Sequence, residues 1–165
     1  MKKLTLVVLF ALSACATAQK GAPSISVDSL PSGKFSALKP RTLKLEIANS
    51  RKINLENNNA KEVEQTVYQT LETYFKREGI TLSDSSPNFL KLEIGDYGDF
   101  HDDGECVGLK NSLTMPAGKI MGTGFSCTGQ KAGAGDAFGG KLAEAYTTAL
   151  QKMLKNLDTK MGELK

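Results

Sequence analysis

Cys106 and Cys127 bracket a stretch centred on Met115-Pro116-Ala117-Gly118. Proline and glycine at that spacing mark a turn, and residues 105 to 115 and 118 to 128 read as the two strands of a long hairpin. If Pro116-Ala117 is a two-residue loop, paired positions sum to 233 and the cysteines lie directly opposite. Counted outward from Met115 and Gly118, they fall at a non-hydrogen-bonded pair. Cα atoms there are ~4.5 Å apart, within the disulfide range of roughly 4.4–6.8 Å. A second register competes with this one. Proline at the second turn position with glycine at the fourth favours a type I turn with a bulge, so pairs would sum to 234. That register sets Leu109 against Phe125 and Leu113 against Met121, a better apolar match. A further bulge at Gly122 or Gly124 would reconcile the two. A reactive or metal-binding thiol pair would call for Cys-x-x-Cys or a nearby histidine cluster, and the sequence has neither.

A disulfide implies an oxidising compartment, and the N-terminus supplies a route to one. Lys2 and Lys3 form a positive region, and Leu4 to Leu12 form an apolar core. That core is far shorter than the roughly 20 residues of a membrane-spanning helix, and it fits the hydrophobic region of a signal peptide. Leu12-Ser13-Ala14-Cys15 then resembles the bacterial lipobox. The resemblance implies cleavage before Cys15 and lipid on its thiol, with Cys15 as the new N-terminus. The alternative is an ordinary secretory peptide cut at an A-x-A site within Ser-Ala-Cys-Ala-Thr-Ala. Each buried acyl methylene adds about 0.8 kcal/mol of membrane affinity, and two or more chains give stable anchoring. Residue 16 is alanine rather than the aspartate that goes with inner-membrane retention, so the resemblance implies the outer membrane.

This reading accounts for two oddities of composition. The chain has three cysteines, an odd number for an exported protein. Assigning Cys15 to lipid leaves Cys106 and Cys127 as one pair. The formal charge is +3, but Lys2 and Lys3 leave with the leader and no acid does. The mature chain is then near neutral, with no basic stripe of the kind nucleic-acid binding needs. With 40% hydrophobic and 24% charged residues, the composition is that of an ordinary globular domain.

Residues 15 to 40 are rich in Ser, Ala, Gly, Pro and Lys and read as a flexible tether, with Ser24-Ile25-Ser26-Val27 as an edge-strand candidate. The domain is expected over 41–165. Leu43, Leu45 and Ile47 alternate with polar positions in a half-buried strand. Asn59 and Glu62 resemble a capping box. They open a helix that places Val63, Val67, Leu71, Tyr74 and Phe75 on one face, with Gly79 as its stop. Ile80 and Leu82 form a short extended piece. Leu90, Leu92 and Ile94 form the next strand, and the hairpin follows. A glycine-rich loop from Gly129 to Gly140 leads into a final helix. There Leu142, Tyr146, Ala149, Leu150, Met153, Leu154, Leu157 and Met161 recur at helical spacing, the strongest periodic signal in the chain. The expected fold is α+β, a two-layer sandwich with a mostly antiparallel sheet and two helices on one face.

Motifs for chemistry are weak. Gly135 to Leu142 matches a phosphate loop except at its last place, where Leu142 stands instead of the Ser or Thr that holds magnesium. Asp99 to Gly104 resembles the start of a calcium loop. Its third position is His101 and its twelfth is Lys110 rather than glutamate, which leaves at most a weak metal site built from Asp99, His101, Asp102, Asp103 and Glu105. His101 is the only histidine, and no strand-turn-helix motif presents a nucleophile to it. The residues argue against an enzyme, and no cofactor is expected. With no tryptophan and 7% aromatics, no base-stacking platform is expected either.

The lipobox, the first helix ending in Tyr74-Phe75-Lys-Arg-Glu-Gly79, the hairpin 105–128 and the closing helix from Leu142 to Leu157 together resemble the small outer-membrane lipoproteins typified by the YajG group. The layout is also similar to the N-terminal domain of TolB and to the lipoprotein activators of peptidoglycan synthases. The resemblance spans about residues 41 to 160. It implies a non-enzymatic periplasmic adaptor that binds an envelope protein. An auxiliary lipoprotein of a lipid or solute transport system, holding an apolar ligand, is the alternative.

Overall fold

A computed structural model of the chain describes residues 25–50, 60–95, 106–127 and 141–164. After a single 3-10 turn at Val27–Ser29 come β1 (Thr42–Asn49), α1 (Ala60–Arg77), β2 (Thr81–Leu82), β3 (Phe89–Gly95), β4 (Cys106–Met115), β5 (Gly118–Cys127) and α2 (Lys141–Glu163). The strands form one sheet in the order β2-β1-β3-β4-β5. β1 runs parallel to β2 and β3, and β3, β4 and β5 are antiparallel neighbours. Most of the ladder is therefore antiparallel, and the molecule is the expected α+β sandwich.

Strand alternation decides which face the helices cover. Leu90, Leu92 and Ile94 of β3 are buried, as are Val107, Leu109 and Leu113 of β4 and Ile120 of β5. Register places Leu90 beside Leu45 and Leu113, and Leu113 beside Ile120. The intervening residues carry charge on the opposite face. Glu46 lies beside Lys91 in register, with an ion pair at 3.4 Å, and Lys44 stands over the Phe89 ring at 5.5 Å. One apolar face and one charged face leave a single side on which both helices can bury their apolar stripes. α1 packs on β1 and β2, and α2 on β4 and β5.

α1 ends as its sequence dictates. Gly79 adopts φ +72°, the left-handed position a side chain resists. Its N–H donates to the Lys76 carbonyl at 3.0 Å, and the Ile80 N–H donates to the Phe75 carbonyl at 2.8 Å. These are the two bonds of a Schellman cap, completed by apolar contact between the flanking residues. Ile80 and Phe75 are both buried.

The segment before β1 departs from the expected tether. Residues 25–40 pack onto the domain, and Leu30, Phe35 and Leu38 are buried in its core. Ile25 and Val27 form no edge strand, and the 3-10 turn replaces it. Polar groups from both helices seat the segment. Arg77 donates to the carbonyls of Val27, Leu30 and Pro31 at 2.8, 3.1 and 3.2 Å. Asp158 accepts the Phe35 N–H at 2.6 Å, and Glu78 accepts the Lys34 N–H at 2.8 Å. Arg41 donates to the carbonyls of Phe35 and Glu78. The Phe35 ring meets Tyr74 and Phe75 edge-on, with centroids 6.2 and 5.5 Å apart. The domain therefore begins before residue 41. Three isolated apolar side chains, spaced by turn residues, close the gap between the helices without any periodic pattern.

Buried Asn88 fixes the entry to β1. Its Nδ2 donates to the carbonyls of Pro40 and Thr42, both at 2.9 Å. Asn88 thus joins the loop before β3 to the strand beside it.

Candidate functional site

The hairpin settles the question of register. Met115 pairs with Gly118, Leu109 with Gly124, Leu113 with Ile120 and Cys106 with Cys127, so every pair sums to 233. The cysteines are joined, with Cα atoms 4.0 Å apart. Proline holds φ near −65°, so Pro116-Ala117 cannot be a primed turn, whose first position needs a positive φ. Gly118, at φ +148°, takes up the misfit that would otherwise call for a bulge. The apolar register loses because of α2. A Cβ on Gly124 would overlap the Ala149 carbonyl oxygen and stand 3.0 Å from the Met153 Cβ. Setting Phe125 opposite Leu109 would put a ring where the helix backbone lies. Met121, paired with Leu113 in that register, is instead 66% exposed.

The other sequence candidates fall elsewhere. Cys15 and the lipobox, the calcium-like run Asp99 to Glu105, the Asn59 cap and the glycine-rich loop 129–140 lie outside the described residues. Among the described residues no group of three or more His, Cys, Asp or Glu side chains could hold a metal, and no helix is long and apolar enough to cross a membrane.

Two features that sequence reading did not single out bear on function. The first is the pair of sheet edges. A two-residue loop closes on a hydrogen-bonded pair, so Met121, Thr123 and Phe125 turn their backbone groups away from β4. Lys160 donates to the Met121 carbonyl at 2.7 Å and Lys152 to the Phe125 carbonyl at 2.9 Å. Two lysines eight residues apart on α2 thus reach over the β5 edge, a familiar block to strand addition. The β1 edge differs. β2 pairs only with Thr42 and Leu43. Among the described residues no strand lies beside the rest of β1 on that side, and Glu64 accepts the Asn49 N–H at 2.7 Å. Leu45 and Ile47 are half-buried there.

The second feature is Asn111. It occupies a core-facing position of β4 between Leu109 and Leu113 and is only 4% exposed, yet neither Oδ1 nor Nδ2 has a hydrogen-bond partner. Leaving such a group unmet costs roughly 1–3 kcal/mol. Its amide lies over Gly122, where a Cβ would stand 3.1 Å from Oδ1 and 3.2 Å from Nδ2. Gly122 lies on the wall of a cleft of about 250 Å³ between β5 and α2, lined also by Lys110, Asn111, Met121, Thr123, Asn156 and Lys160. A second cleft of about 200 Å³, mostly apolar, lies at the hairpin tip beside Met161 and Leu164. The sequence signal for Asn111 is a polar residue interrupting Leu109-x-x-x-Leu113 at an inward position, opposite a glycine. Single-chain periodicity passes over it because one asparagine barely lowers the apolar alternation.

Compared with family models, curated proteins and solved structures, the chain has no match.

Proposed function

We propose that this protein is a lipid-anchored adaptor of the cell envelope, held to the outer membrane through Cys15, with its domain in the periplasm binding an envelope protein. The observation that carries the reading is the division of the cysteines. One follows a leader and completes a lipobox, and the remaining two are joined across the hairpin. Both assignments call for export to an oxidising compartment.

The sheet edges support a mode of binding. β5 is guarded by Lys152 and Lys160, whereas β1 beyond Leu43 has, on the side away from β3, no strand beside it among the described residues. An extended segment of a partner would add there, gaining main-chain hydrogen bonds along the edge and apolar contact with Leu45 and Ile47. Among the described residues, the two clefts given by β5 with α2 and by the hairpin tip, at about 250 and 200 Å³, are below the roughly 300–1,000 Å³ usual for ligand pockets. A photo-crosslinking residue at Ala48, in intact cells, is expected to trap one discrete partner, and the same residue at Thr123 is expected to trap none. The reading fails if neither position gives a discrete adduct, or if gently purified protein carries stoichiometric lipid in native mass spectrometry.

A further inference from the structure

β1 turns its backbone groups alternately to its two sides. Lys44 and Ser50 donate their N–H groups toward β3, to the carbonyls of Asn88 and Ile94, both at 2.8 Å. The odd-numbered residues of β1 therefore present theirs on the other side. There the carbonyls of Arg41 and Leu43 accept from Thr81 and Ser83 at 3.0 and 2.9 Å, and Glu64 holds the Asn49 N–H at 2.7 Å. Between these two stops, Leu45 and Ile47 have no strand beside them on that side among the described residues. Each carries one donor and one acceptor, so the window is four groups long. Leu45 and Ile47 are half-buried against the core. Glu46 stands between them on the opposite face, with its side chain 48% exposed. Its Oε1 meets the Lys91 ammonium at 3.4 Å, across β3. Lys44 is also drawn to the β3 side, 5.5 Å from the centre of the Phe89 ring. The charge that β1 offers an incoming strand is therefore the Glu46 carboxylate.

With β1 taken as the docking edge of the proposed function, we infer that the partner segment reads apolar-basic-apolar, its arginine or lysine opposite Glu46. Residues in register share a face of the sheet, whichever way the partner runs. The two apolar residues then extend the core beside Leu45 and Ile47, and the basic residue meets Glu46. Opposite charges across a ladder stabilise it, and like charges directly opposite destabilise it. The same rule argues against a second copy of this chain. A two-fold pairing of β1 edges that keeps both helix layers on one face runs antiparallel. Using all four open groups, it sets Leu45 against Ile47 and Glu46 against Glu46 of the second copy. Moving the register by two residues brings in Leu43 or Asn49, whose edge groups Ser83 and Glu64 already hold.

The test titrates isotope-labelled protein with the capped peptide Thr-Val-Arg-Val-Thr and with versions carrying glutamate or serine in place of arginine, followed by NMR of the backbone amides. The arginine peptide is expected to shift the Leu45 and Ile47 amides saturably. It should bind about fivefold tighter than the glutamate peptide, the scale of one favourable against one unfavourable cross-strand charge pair, with the serine peptide between them. Glu46→Gln is expected to erase this order and Glu46→Lys to invert it. Both variants should fold, because a surface ion pair such as that with Lys91 contributes little to stability. Equal affinity of the three peptides at Leu45 and Ile47 would overturn the basic requirement and leave β1 as the docking edge. So would the wild-type order persisting in Glu46→Lys. Peptides that shift neither amide would overturn the docking edge as well. Leu45 and Ile47 amides that move with protein concentration alone would give the edge to a second copy and overturn the inference.

Discussion

Gly124 sets how near α2 comes to the sheet. The helix backbone at Ala149 lies where a methyl group on Gly124 would have to go, and backbone cannot yield as a flexible side chain can. Gly124→Ala should therefore cost about 3 kcal/mol, the upper end of overpacking effects, seen as a lowered urea midpoint. Tyr74 gives the opposite sign. Its hydroxyl is fully buried and unbonded, so Tyr74→Phe should stabilise the domain by about 1 kcal/mol near neutral pH. Burial, and then the nearby Glu78 carboxylate, hold the Tyr74 phenol well above its ordinary 10.0. Above pH 10 the unfolded chain releases this proton and the folded one keeps it. The wild type should therefore lose up to ~1.4 kcal/mol per pH unit that the Phe variant does not lose. Urea titrations of both proteins at pH 7 and pH 11 would show a stability gap that widens with pH. A gap that stays constant would contradict the burial of an unbonded phenol. At this scale the sequence shows that Tyr74 lies on the apolar face of its helix. It does not show that the hydroxyl has no partner, because partners come from elements distant in the chain.

Among the elements, the hairpin was the most legible. The cysteine pair specifies the observed register, against both the turn preference of Pro116 with Gly118 and the pull of apolar matching. That pull fails because matching side chains across a ladder ignores what lies above the sheet. Beneath α2 a glycine fits and a phenylalanine does not. The closing helix was legible for a simpler reason, since its long apolar stripe has one place to go. The β5 edge was not legible, because lysines at 152 and 160 look like ordinary solvent-facing residues until the helix axis is placed along the strand. Removing the cross-link with Cys106→Ala and Cys127→Ala should cost about 2–4 kcal/mol, the range for loops of this length, while the register survives. Replacing Lys152 and Lys160 with alanine should promote concentration-dependent self-association through β5. Sedimentation velocity would detect it, and an unchanged monomer at high protein concentration would contradict the guarding role.

For the whole molecule, the largest revision concerns where the domain starts. Ser, Pro and Gly between residues 24 and 40 signal turns correctly, and turns look like a tether when apolar residues are sparse. Leu30, Phe35 and Leu38 nonetheless enter the core, held by charged groups from both helices that no local pattern pairs with them. A mature protein shortened to begin at residue 25 should keep its thermal midpoint. One shortened to begin at Arg41 should lose several kcal/mol, or fail to fold, because three buried side chains and the Asp158 and Glu78 acceptors lose their partners. The anchor proposed at Cys15 would then be separated from the described domain only by residues 16–24. The proposed function rests on attachment through Cys15. Growing cells with an alkyne-tagged palmitate and resolving the purified protein by mass spectrometry tests it directly. The expected result is a mature chain starting at Cys15 with acyl mass on that residue, and a Cys15→Ser variant that takes up no label and leaves the membrane fraction. A chain cut elsewhere with an unmodified Cys15, or a Cys15→Ser variant still labelled and still membrane-bound, would contradict it.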